Sequence, residues 1–181
     1  MILNAKNNQF VFTLPKGFLD KELEEKYSYY LKRLPTPFEN IEDYLNHTIQ
    51  SVTFPSVTAE EVEQTLDKRP VYWRQSFDLE RIISKEFTVN FKTADGYLNY
   101  WVLFEQFQRY LNEQNTKDYF PDMNLRFLDR QGYQLVNIIF RMPLMKGIDQ
   151  VEMSYASTAF EFRTFGVTFK YNIFEIDVQL D

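Results

Sequence analysis

The chain contains no cysteine. That excludes disulfides, thiolate metal sites, iron–sulfur clusters and cysteine nucleophiles together. Histidine is nearly as scarce: His47 is the only one in 181 residues, so a Ser–His–acid set has to use it. It stands in Asn46-His47-Thr48 at an element boundary, away from any nucleophile-elbow motif, and reads as structural or exposed. The 5 glycines are scattered, so no loop is built to cradle phosphate. No Asp-rich loop has calcium-binding spacing. The acidic groups Glu22, Glu24, Glu25 and Glu60, Glu61, Glu63 read as solvated faces, and neither presents the two carboxylates of a glycosidase cleft. The sequence therefore implies no catalytic residue, no metal and no cofactor.

Basic clusters are missing too. The 20 basic and 26 acidic residues give a net charge of −6, with no Lys/Arg-rich block. Tight nucleic-acid binding, which depends on basic side chains displacing counterions, is not expected. A mildly acidic protein can still let DNA pass without holding it. No window approaches 18 uninterrupted apolar residues, so no membrane span is expected. The opening MILNAKNNQF has no basic n-region, so no signal peptide is expected and synthesis is cytoplasmic.

What the chain has in abundance is aromatic rings: 18 Phe, 12 Tyr and 2 Trp, or 18% of residues. Aromatics favour strands and large packed interfaces. Gln9 to Thr13 reads as a short strand. A helix follows from Asp20 to Leu34, with Leu23, Tyr27, Tyr30, Leu31 and Leu34 as its stripe, and Pro35 and Pro37 stop it. Phe38 to Leu45 reads as a second helix, making Asp20 to Asn46 a helical hairpin. His47 to Phe54 reads as extended. Ala59 to Pro70 is polar and reads as an exposed loop or marginal helical turn, with Thr58 and Glu61 spaced as a capping box. Val71 to Phe77 reads as a strand with Val71, Trp73 and Gln75 on one side.

The strongest pattern is EFTVNFK, where Phe87, Val89 and Phe91 alternate with Thr88, Asn90 and Lys92. After the turn at Asp95-Gly96, a helix is predicted from Tyr97 to Glu113. Tyr97, Tyr100, Trp101, Phe104, Gln108 and Leu111 form one stripe, and Leu103, Phe107 and Tyr110 a second. A helix this apolar is either clasped between elements or lends one stripe to another subunit. Met123 to Asp129 and Tyr133 to Arg141 read as a hairpin across Arg130-Gln131-Gly132. Val136, Ile138 and Phe140 share one of its faces. Val151, Met153 and Tyr155 alternate as a further strand. In the closing run Phe165, Val167, Phe169 and Tyr171 share a face. The phase then flips so that Phe174, Ile176, Val178 and Leu180 continue on even numbers, as for a bulge or a strand changing sheets. The predicted class is α+β with β dominant: a single domain over 1–181, its core at 87–181. It is an antiparallel sandwich or open barrel with one aromatic helix packed on its flank and the helical hairpin added.

Three segments, in this order, resemble the tail tube proteins of contractile-tailed bacteriophages and their baseplate-tube relatives. They are IQSVTFPSV (Ile49 to Val57), FTVNFKTADGYLNYWVLFE (Phe87 to Glu105) and SYASTAFEFRTFGVTFKYNIFEI (Ser154 to Ile176). The resemblance covers roughly Gln50 to Leu180. It implies a non-enzymatic virion protein that assembles as a hexameric ring, stacked with tail, baseplate or sheath proteins around a channel for DNA. It places the protein in the virion tail. Core and assembly residues are then Phe87, Val89, Phe91, Tyr97, Trp101, Phe104, Phe165, Val167, Phe169 and Tyr171. The lumen candidates are Asn137, Thr168, Lys170 and Asn172, on the hairpin and the final long strand. The hairpin at 20–46 and the polar stretch at 59–69 depart from the family and suit ring-stacking or sheath-facing additions, or a specialised ring. Two other readings stay open: a monomeric β-sandwich module binding carbohydrate or lipid, and an enzyme with carboxylate chemistry.

Two substitutions follow. Phe104→Ala costs about 3–5 kcal/mol if that ring is in the core; if it lies only at a subunit contact, the monomer stays folded and assembly fails. Thr168→Asp leaves folding intact if that strand face is wet, whereas strong destabilisation means the faces are reversed.

Overall fold

A computed structural model describes residues 9–34, 38–58, 61–74, 83–112, 118–151 and 163–178. The alternating stretch at 86–92 forms strand β5 (Glu86–Lys92), and its period of two is fully realised: Phe87, Val89 and Phe91 are buried. Strand β9 (Thr164–Lys170) runs antiparallel beside it, with Phe87 opposite Phe169, Val89 opposite Val167 and Phe91 opposite Phe165. Both Phe pairs are stacked, with ring centroids 5.3 and 5.5 Å apart. Such pairs add about 0.5–1.5 kcal/mol each beyond their buried area. Strands β2 (Ile49–Thr53) and β8 (Leu144–Ile148) complete a four-stranded sheet, here sheet II, in the order β2-β5-β9-β8.

Sheet I has the order β1-β6-β7-β10, from Phe10–Thr13, Met123–Leu128, Gln134–Arg141 and Ile173–Val178. The β6–β7 hairpin closes as its sequence predicts. The Asp129 carboxylate accepts from the Gln131 and Tyr133 amides at 2.7 and 2.8 Å, and Gly132 takes φ +91°. Phe12, Met123, Leu125, Ile138 and Phe140 point from sheet I into the core. There Phe140 stacks on Phe87 of the other sheet at 4.1 Å. Among the described residues no strand ladder joins the two sheets, and of the two expected architectures they form the sandwich.

The phase flip near residue 172 is a sheet change. β9 belongs to sheet II and β10 to sheet I, and the inward direction reverses on crossing from one layer to the other. The crossing is pinned at both ends. Tyr171 is buried and its hydroxyl donates to the Ser84 carbonyl at 2.6 Å, while the Asn172 side-chain Nδ2 donates to the Met142 carbonyl at 3.1 Å. Arg141 on β7 then bridges Asp122 and Glu175.

The helical hairpin is present as α1 (Lys21–Leu31) and α2 (Ile41–Thr48). α1 buries Leu23, Tyr27 and Leu31, but Tyr30, placed in that stripe by spacing, is exposed. α2 is capped by Asn40, whose side chain accepts from the Asp43 amide at 2.7 Å. It starts and ends three residues later than spacing suggested, so His47 is helical and exposed, and β2 begins only at Ile49. The segment at 59–70 is a larger correction. Residues 61–74 form a β-hairpin, β3 (Glu61–Leu66) with β4 (Arg69–Arg74). Asp67 and Lys68 turn the chain with φ 47° and 64°, the two positive values of a type I′ turn. The Asn-Gly or Asp-Gly signal of such turns is absent, and Val62 and Leu66 are diluted by Glu and Gln, which is why the pattern reads as loop.

Helix α3 (Leu98–Asn112) follows a single tight turn at Asp95–Tyr97. It buries Asn99, Val102, Leu103 and Gln106, so neither aromatic stripe is its main core face. The helix covers the sandwich flank, with Tyr100 edge-on to Phe165 at 5.2 Å. The buried Asn99 carries the bend into the helix, its amide donating to the Lys92 carbonyl at 2.8 Å. The expected strand around Met153 and Tyr155, the far end of the 71–77 strand, and Leu180 lie outside the described residues.

Two tests follow. Phe140→Ala removes the ring that joins the layers and should lower unfolding stability by about 3–5 kcal/mol in chemical denaturation. Burial also pushes the hydroxyls of Tyr171 and Tyr27 up to about 12, whereas the unfolded chain releases these protons near pH 10. The native state therefore holds more protons between those values, and stability is full below about pH 10 and falls as pH rises toward 12. Tyr171→Phe should make that alkaline decline shallower.

Candidate assembly surfaces

Among the described residues no group of three His, Asp or Glu side chains is placed to hold a metal. His47 packs its ring on Phe38 at 5.1 Å. The surfaces that stand out are instead sheet faces, one helix face and one hairpin.

The outer face of sheet II is built from small polar side chains. Thr88 and Thr168, directly opposite each other, share a hydroxyl hydrogen bond of 3.1 Å, and Asn90 donates to the Ser51 hydroxyl at 3.0 Å. Gly166 sits between them. A Cβ there meets the Asp149 carboxylate, the Thr88 methyl and the Asn90 oxygen, so the face is closed over its glycine. Lys146 is neutralised by Glu86 at 2.6 Å. The outer face of sheet I differs: Leu135 and Ile139 alternate there with Asn137 and Arg141, beside Glu175 and Asp177 of β10. Arg141, hydrogen-bonded to Glu175, holds that carboxyl below the usual carboxylate range.

The four lumen candidates fall apart on this geometry. Thr168 and Lys170 are on the outer face of sheet II, Asn137 is on the outer face of sheet I, and Asn172 is in the crossing between them. The two outer faces look in opposite directions, so one channel wall cannot use all four. Of the core and assembly residues, Phe87, Val89, Phe91, Phe165, Val167, Phe169 and Tyr171 are buried inside the chain. The α3 residues are not: Tyr97 and Phe104 are half-buried and Trp101 is 48% exposed.

Tyr97, Trp101, Phe104, Gln108 and Leu111 lie opposite the buried face of α3 and carry no charge. The charged Glu105 and Arg109 are turned aside to α1, where they pair with Lys26 and Glu22. Solvent-facing helix sides are ordinarily the polar ones. Two surfaces escaped the sequence reading. One is the β3–β4 hairpin, along which Val62, Leu66, Tyr72 and Trp73 are exposed. The other is a strip of Phe54, Ile176 and Val178, each about half exposed. The even-numbered apolar run in β10 was the available signal for the strip.

No protein-family model matches the sequence, and no curated protein matches it. Solved structures do share its fold. A chain of the anti-feeding prophage baseplate, determined by cryo-electron microscopy with 6-fold symmetry, superposes with a TM-score of 0.57 at 12% identity, over 98% of each chain. A chain of the anti-feeding prophage tube-terminating cap gives 0.54 at 10% identity, over 99% of this chain and 94% of that one. The β-dominant fold expected from the tail-tube resemblance is the fold these chains have.

Proposed function

We propose that this chain is a structural subunit of the tube or baseplate of a contractile injection apparatus, closing with copies of itself into a ring around a channel. The observation that carries the reading is the outer face of sheet II, whose small hydroxyl and amide groups suit a wet wall. Among the described residues β2 and β8 are its two edge strands. Open edges are a liability for an isolated protein. A neighbour on each side removes it and makes one continuous wall, and the 6-fold symmetry of the baseplate of like fold supports a hexamer.

With sheet II toward the channel, Thr88, Asn90 and Thr168 face the lumen, Lys92 and Lys170 stand at opposite ends of that face and Lys146 is paired with Glu86, so the wall has no basic block to arrest a polyanion such as DNA. Because α3 lies on the sandwich flank, with Tyr100 against the inner-face ring of Phe165, Trp101 and Phe104 then look away from the channel. That is where an adjacent subunit or a surrounding sheath is expected. The protein is then non-enzymatic and resides in the assembled particle.

Sedimentation over a range of concentrations tests this. The reading expects rings of defined size in equilibrium with monomer, and a monomer at every concentration contradicts it. Phe104→Ala and Trp101→Ala, changing a partly buried and an exposed ring of the outward stripe, should leave the circular dichroism of the monomer nearly unchanged while weakening self-association or sheath binding. A collapse of the monomer fold in either variant overturns the outward placement of this stripe.

A further inference from the structure

Both edge strands of sheet II carry an irregularity that its centre lacks. β5 and β9 pair in unbroken register from Glu86 opposite Lys170 to Lys92 opposite Thr164. On β2, Ile49 lies opposite Phe91 and Ser51 opposite Asn90, so Gln50 is an extra residue in the ladder. On β8, Met145 lies opposite Phe169 and Gly147 opposite Thr168, so Lys146 is extra in the same way. Both extra residues are exposed. The two bulges are placed evenly about the middle of the sheet. Val89 and Val167 are the central pair of the β5–β9 ladder. The Gln50 bulge falls beside Asn90 and Phe91, to one side of that pair, and the Lys146 bulge beside Thr168 and Phe169, to the other.

A bulge bends its strand and increases the local right-handed twist. Two of them, at diagonal corners of one sheet, curl it about its central pair instead of turning one edge aside. Gly166 gives the direction of the curl. Its own side faces outward, between the inward Phe165 and Val167. Thr88 and Asn90 of β5 lean over it from one side and the Asp149 carboxylate, just past β8, from the other. The Asp149 amide holds that end of β8 in place by donating to the Gly166 carbonyl at 2.8 Å. Side chains converge over a concave face and splay over a convex one. A glycine under such a close approach is the residue that allows it. Sheet II is therefore concave on its polar face.

We propose that the bulges at Gln50 and Lys146 set the curvature of the channel wall, and through it the number of copies that close the ring. Closing a sheet on itself ties strand tilt and stagger to the number of strands. Bulges and glycines at defined positions are the devices that supply such curvature. A flatter wall closes only with more copies. The inference deepens the ring assembly proposed above and rests on it for the existence of the ring.

Deleting either extra residue regularises its ladder without exchanging the faces. Without Gln50, Ile49 and Val52 still pack toward the core and Ser51 still pairs with the outward Asn90. Without Lys146, Met145 and Ile148 still point inward and Gly147 still pairs with the outward Thr168. Each deletion is made alone, its fold checked by circular dichroism, and its rings counted by rotational symmetry in class-averaged electron micrographs. Either deletion should add at least one subunit to the ring of the unaltered protein. Lys146→Ala, which keeps the bulge and removes only the ion pair with Glu86, should leave the number unchanged. Folded deletion chains that form rings of the unaltered size or stay monomeric overturn the inference, as does a changed number in Lys146→Ala. Deletion chains that grow into β-rich fibres show bulges that only guard the edges from pairing, and overturn it too. A high-resolution map of the unaltered ring is a readout that needs no variant. Extra residues kept at Gln50 and Lys146, with sheet II concave to the lumen, support the inference; a regular ladder at either edge overturns it. Unaltered protein that forms no ring overturns the ring assembly itself, and the inference with it.

Discussion

The structure turns on the inner face of β5. Phe87 touches Phe169 in its own sheet and Phe12 and Phe140 in the other, so one ring joins both layers of the sandwich. Three alternating apolar residues on a central strand thus orient everything around them. They set which side of sheet II is dry, and by the period of two they set which side is wet. A one-residue slip of β5 would exchange the faces, placing Thr88 and Asn90 among phenylalanines and the rings in water.

The helical layer joins this core through buried apolar side chains, among them Leu23 and Leu31 of α1, Ile41 and Leu45 of α2 and Val102 and Leu103 of α3, and through side chains that satisfy loop backbone. The loop joining β1 to α1 has amides with no ladder to enter. Asn46 accepts from Leu14 at 2.7 Å, Glu42 from Gly17 at 2.9 Å and Gln106 from Asp20 at 3.2 Å. Glu42 and Gln106 are buried to do so. An unmade bond at such a buried amide costs about 1–3 kcal/mol. This links α2 and α3 to the same loop, fixes α3 over the flank, and leaves its Trp101 side outward. The shape of the candidate assembly surface therefore follows from the buried Val102 and Leu103 together with the polar contacts of Asn99 and Gln106 on the helix's opposite side.

Legibility in the sequence followed the strength of the period. β5, the β6–β7 hairpin and the sheet change after Tyr171 were readable because alternation, turn chemistry and phase are local signals. The hairpin at 61–74 was not, since its turn uses Asp67-Lys68 and the apolar Val62, Leu66 and Trp73 are about half exposed instead of joining the core. The buried face of α3 was misjudged for a related reason. Spacing showed two apolar stripes, but Asn99 and Gln106, polar by type, are buried because they serve backbone groups, and this displaced the aromatic stripe outward. Lumen candidates on β7 and β9 could not be separated from sequence, because which strands share a sheet depends on long-range pairing. Polar residues of similar type line both outer faces.

The central claim is that the polar face of sheet II becomes the wall of a channel when identical chains close side by side. Electron micrographs of the purified full chain, averaged in projection, test it most directly. The account predicts closed rings with a central hole and sheet II lining it. Monodisperse single subunits, or closed dimers with sheet II buried in the contact, contradict it.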